Sequence, residues 1–129
     1  MVNNIHGTTR RSVLAGVAGA LGIAAVIALA GCAAPRPVLV PSDDDATPVV
    51  TVRAYDNYYE PAEVEIKAGE AVKWEFMGPA EHDVVSDDRS FVSELAVKHE
   101  YTHVFDEAGD FAYLCSIHPE MRGLVKVKE

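Results

Sequence analysis

Beyond its first forty-eight residues the sequence predicts an all-β fold, a small sandwich of antiparallel sheets, on three observations. Its segments are short and alternate apolar with polar residues at a period of two. Turn signals separate them. Roughly eighty residues remain from Val49 to Glu129, enough for one hydrophobic core and no more.

The N-terminus reads as an address. Thr9-Arg10-Arg11-Ser12-Val13-Leu14 looks like a twin-arginine export signal, and the apolar run Val13 to Ala30 follows directly. Leu29-Ala30-Gly31-Cys32 looks like a bacterial lipobox. The expectation is a signal peptide over residues 1–31, cleaved so that Cys32 carries a lipid. An uncleaved membrane span is the alternative, but eighteen residues sit at the short edge of what crosses a bilayer. Its glycines and alanines, and the small-small-Cys ending, favour cleavage. Either way the domain is exported and attached to the outer face of the bacterial cytoplasmic membrane.

Residues 32–48 follow as a lipid-anchored linker rich in Pro and Asp. Ala33 to Pro48 holds four of the seven prolines and the run Asp43-Asp44-Asp45, without helical or strand periodicity. Such a composition reads as a disordered, solvated tether, and sixteen extended residues would reach roughly 50 Å.

The strands of the domain at 49–129 follow from parity. Val50, Val52 and Ala54 share one face, as do Val64 and Ile66, then Val72, Trp74 and Phe76. Tyr101, His103 and Phe105 alternate in a later run, and Phe111, Tyr113 and Cys115 in the next, before Val125 and Val127 close the chain. If Phe111 and Tyr113 point inward, so does Cys115, at the end of its strand. Pro119 would stiffen the loop that follows, and Gly123 would let the chain turn back into the last strand.

That loop carries the chemistry. Cys115, His118 and Met121 supply a thiolate, an imidazole and a thioether within seven residues, a set that suits a soft metal such as copper. His82, in Glu81-His82-Asp83-Val84, is placed to complete a Cys-His-His site with a weak axial Met. Zinc is the main competitor, but a thioether is a poor zinc ligand. Only Cys32 and Cys115 occur, so a lipidated Cys32 leaves Cys115 a lone thiol in an oxidising compartment, a liability that a bound metal removes. His6 falls in the signal; His99 reads as solvated, His103 as an inward packing residue, and Met77 as loop packing.

The ordered set His82, Cys115, His118, Met121 resembles the cupredoxins, the type 1 blue copper proteins of amicyanin/plastocyanin-like kind. Its Cys-x-x-His-x-x-Met spacing is most similar to the amicyanin branch, since plastocyanin and pseudoazurin relatives usually have more residues between the His and the Met. Glu60-Pro61-Ala62-Glu63-Val64-Glu65-Ile66-Lys67-Ala68-Gly69 and Gly109-Asp110-Phe111-Ala112-Tyr113-Leu114-Cys115 extend the likeness over Val49 to Lys128. The resemblance implies a Greek-key β-sandwich holding one Cu(I)/Cu(II) ion, acting as an electron carrier with a redox donor and acceptor and not as an enzyme. It also implies that the edge of His118, bordered by Ile117 and Pro119, is the electron gate. Cupredoxins usually carry Asn after the first ligand His, tying the two ligand loops together; here that residue is Asp83.

Charge agrees. All twenty acidic residues follow Cys32, against nine of the eleven Lys and Arg, so the mature chain carries −11. Nucleic acid is excluded as a partner; a basic redox protein fits better. A monomer is expected. A copper chaperone or storage protein is the alternative function, yet such sites are usually open and Met- or His-rich, and this chain has three Met including the initiator. A binuclear oxidase centre would need a second cysteine beside Cys115.

Overall fold

Period-two patterning resolves into strands wherever one face is buried. The computed structural model describes residues 35–129; the export signal and Cys32 lie outside the described residues. Eight strands form: β1 (Pro48–Tyr55), β2 (Tyr58–Glu60), β3 (Glu63–Lys67), β4 (Glu70–Phe76), β5 (Val85–Ser86), β6 (Glu100–Phe105), β7 (Gly109–Cys115) and β8 (His118–Lys128). They build two four-stranded sheets, ordered β2-β1-β4-β6 and β3-β8-β7-β5.

The sandwich is as expected, but its sheets are mixed. β1 pairs parallel to β4, and β3 parallel to β8. Local alternation fixes which face is buried and carries no information on a neighbour's direction, so the antiparallel expectation fails at these two pairings. Lys126–Glu63 and Lys128–Glu65 ion pairs cross between β3 and β8 on the diagonal, each lysine reaching the glutamate two positions before its register partner.

Inward residues follow the predicted parity. Val52, Ala54, Val64, Ile66, Val72, Trp74, Phe76, Tyr101, Phe105, Tyr113, Cys115, Val125 and Val127 are all buried in one cluster. Trp74 sits at its centre, stacked on Phe91 at 5.4 Å and edge-on to Tyr113 at 5.4 Å between ring centroids. His103 is half-buried between Phe91 and Phe105, as a packing residue should be.

The linker departs from expectation. From Val40 the chain is docked on the domain: Val40 N–H donates to Val92 C=O and Asp43 N–H to Thr102 C=O, each at 2.9 Å. Thr102 N–H donates to Ser42 Oγ, and Val104 N–H to Asp43 Oδ2 at 2.8 Å. The outer edge of β6 has free donors and acceptors, and the Ser and Asp of this segment satisfy them. Composition registered their polarity; it could not register that a sheet edge was waiting for it. Val40 to Asp43 are therefore held on the domain by hydrogen bonds.

Candidate metal centre

Three of the four predicted ligands come from one hairpin. β7 delivers Cys115 at its last position, and only Ser116 and Ile117 separate it from His118, the first residue of β8. Cys115 pairs with His118 and Leu114 with Arg122, so Pro119, Glu120 and Met121 bulge out of the ladder. The bulge returns Met121 to the core, where it is fully buried in the same cluster as Cys115. Gly123 is not the turn into the last strand that its residue type suggested. It lies inside β8, and a Cβ there would stand 2.1 Å from Tyr113 Cζ, so its hydrogen is what lets the Tyr113 ring pack two residues before Cys115.

His82 arrives separately, after Gly78, whose φ of +62° favours glycine. Its backbone is pinned in both directions to Ala96: His82 N–H to Ala96 C=O at 2.9 Å and Ala96 N–H to His82 C=O at 3.0 Å. Next along, Val84 N–H donates to Ser93 Oγ at 2.8 Å. The Tyr59 hydroxyl donates to Asp83 C=O at 2.6 Å. Both bonds are buried.

The two loops converge on one point. The Nδ1 atoms of His82 and His118 lie 3.9 Å and 3.6 Å from Cys115 Sγ, and the three ligand atoms all fall within 4.8 Å of one another. His82 and Cys115 are fully buried and His118 is partly exposed. Its flanks, Ile117 and Pro119, are exposed. Burial pushes the Cys115 thiol up, with backbone hydrogen bonds from the Asp83, Ile117 and His118 region opposing it. A bare thiolate is disfavoured there, and a bound cation would offset that cost. One sulfur, two imidazole nitrogens and a nearby buried thioether fit copper better than a hard cation, which would seek oxygen.

Asp83 ties the two loops together. Ser116 N–H donates to Asp83 Oδ1 at 2.7 Å and Ser116 Oγ–H to Asp83 Oδ2. The carboxylate thus accepts twice from the residue after Cys115. Sequence reasoning singled out Asp83 but missed Ser116, Ser93 and Tyr59, and it missed Asp56. Asp56 Oδ1 lies 2.9 Å from His82 Nε2, across twenty-six residues, with no motif to mark it.

A family model for the cupredoxin-like domain matches residues 22–127. The chain belongs to the cupredoxin-like family. Among relatives of this cupredoxin, amicyanin from Paracoccus versutus is 38% identical over 76 residues, covering 54% of this chain and 58% of that protein. Chloroplastic plastocyanin from Tetradesmus obliquus is 35% identical over 72 residues, covering 46% and 50%. The match thus spans between half and three-fifths of each relative's length. Among solved structures, a purple cupredoxin from Nitrosopumilus maritimus superposes with a TM-score of 0.56 at 28% identity, over 61% of this chain and 99% of that one.

Proposed function

We propose that this cupredoxin is a one-electron carrier whose copper would be held by His82, Cys115 and His118, with the thioether of Met121 as a weaker fourth donor. Bound there, copper supplies a Cu(I)/Cu(II) couple, with no substrate bond made or broken. The observation that carries the reading is the buried Cys115 sulfur with two imidazole Nδ1 atoms aimed at it, one ring fully buried and the other partly exposed.

The residues divide the work. Cys115 and His82 exclude water, and the sandwich beneath them holds both donors where they are, so little has to move as charge changes. His118 offers the solvent-facing edge across which an electron would pass, and the apolar rims of Ile117 and Pro119 would seat a partner closely. A carrier needs this combination of a closed site and one open edge. A metal chaperone would need the opposite, ligands accessible enough to exchange the ion.

The proposal includes place. Cleavage before Cys32 and lipidation of its sulfur would hold the domain at the outer face of the cytoplasmic membrane, beside donor and acceptor proteins of the same surface. The chain free to serve as a tether is then what precedes Val40, since the residues after it are docked. Replacing Cys32 by Ser should move the protein from the membrane fraction to the soluble one.

Absorption and EPR spectra of the copper-loaded protein test the function. Intense visible thiolate-to-copper absorption that vanishes in Cys115→Ser is expected. A colourless protein that binds copper weakly would favour the chaperone or storage role.

A further inference from the structure

Asp56 occupies the turn between β1 and β2, a two-residue Asp56-Asn57 connection closed by the Tyr55–Tyr58 pair, with Asn57 at φ +75°. Nothing about its place in sequence links it to the metal centre. The turn nevertheless aims its carboxylate at the back of the His82 ring: Oδ1 is 2.9 Å from Nε2 and also accepts from Ala80 N–H at 3.3 Å. The Asp56 side chain is 40% exposed and that of His82 is wholly buried. A buried ring of this kind depends on its few partners to decide where its proton sits.

A neutral imidazole carries one N–H, and the two positions are not equivalent here. A proton on Nε2 has a carboxylate oxygen at hydrogen-bond distance. A proton on Nδ1 would face only the Cys115 sulfur at 3.9 Å, a weak acceptor, and would occupy the nitrogen that points into the site. We propose that Asp56 is a positioning residue which fixes His82 as its Nε2–H tautomer, leaving the Nδ1 lone pair directed at the metal position, and which locks the 78–81 segment through Ala80. Among the described residues, His118 has no carboxylate partner of this kind. The two imidazoles are therefore built differently: one is oriented from behind, the other is free to meet a partner.

This inference rests on the copper reading for its purpose, but its first test does not need copper. Long-range proton–nitrogen NMR on the metal-free protein at pH 8 reports which nitrogen of His82 is protonated. Wild type should show a single Nε2–H species, and Asp56→Ala should show a population of Nδ1–H. Should Asp56→Ala fail to fold, Asp56→Gly serves, since a turn position tolerates glycine and no side-chain acceptor is left there for Nε2–H. An Nδ1–H signal in wild type, or an unchanged single Nε2–H species in the folded variant, would overturn the proposal. Copper affinity should then fall about 10- to 100-fold in Asp56→Ala, the usual consequence of losing an outer partner of a ligating histidine. Wild type that binds no copper would refute the metal reading and leave the tautomer result to decide the role of Asp56.

Discussion

His118 and His82 present the same nitrogen to the same sulfur, yet they are held in opposite ways. His118 stands on a hairpin with Cys115 and Met121, and strand pairing across two turn residues sets its position. His82 stands on a long connection and is held by hydrogen bonds to distant partners: Ala96 through its backbone, Ser93 and Tyr59 through its neighbours, Asp56 through its ring. The hairpin half is specified locally and left partly open. The His82 half is specified by tertiary contacts and closed. A carrier gains from that asymmetry, because the closed half can hold the ion while the open half meets a partner.

Breaking the hairpin half should cost most. Gly123→Ala would place a methyl 2.1 Å from the Tyr113 ring, which is almost completely buried and has nowhere to retreat. Overpacking of this kind costs about 3 kcal/mol. Urea unfolding of the metal-free protein should show the loss. A neutral result would mean that β8 and β7 can part locally, and the hairpin would not be the rigid half.

The His82 half should yield in smaller steps. Ser93→Ala leaves the Val84 N–H buried without its 2.8 Å acceptor and should cost about 2 kcal/mol in the same measurement. Tyr59→Phe removes the 2.6 Å bond to Asp83 C=O and should cost about 1 kcal/mol. Both should disturb the copper spectrum more than their modest cost in stability suggests, because each lies one link from His82. Unchanged spectra in both would show that the backbone bonds to Ala96 suffice.

The smallest effect serves as a control away from both ligand loops. Burial pushes the His103 imidazole below its ordinary value of 6.5, with Asp43, Asp106 and Asp88 opposing the shift. The unfolded chain therefore takes up this proton first. The contribution is full above pH 6.5 and is lost as pH falls from there towards the lower folded value. His103→Phe should flatten that part of the stability profile and leave the copper spectrum alone. A changed spectrum would show that the core transmits to the site, contrary to the division drawn above.

The same asymmetry explains what could be read from the chain. Cys115, His118 and Met121 lie within seven residues, so ligand spacing is visible without a structure. Parity likewise placed Tyr113 and Cys115 on one face. His82 could be named because its residue type completes the set, but its supports could not, since Asp56 and Ser93 are ordinary turn and loop residues until the sandwich closes. The parallel β1/β4 and β3/β8 pairings were illegible for the same reason. Docking of Ser42 and Asp43 on the edge of β6 was hidden too, because composition reports what a segment is and not what lies beside it.

Retention of copper through redox cycling tests the central claim most directly. The loaded protein is reduced and reoxidised repeatedly in the presence of a competing Cu(I) chelator, while the visible band and bound copper are followed. A closed carrier site predicts that the band returns in full at each cycle, with one copper per chain throughout. Progressive loss of copper to the chelator on reduction would contradict it and would mark a site that delivers metal, not electrons.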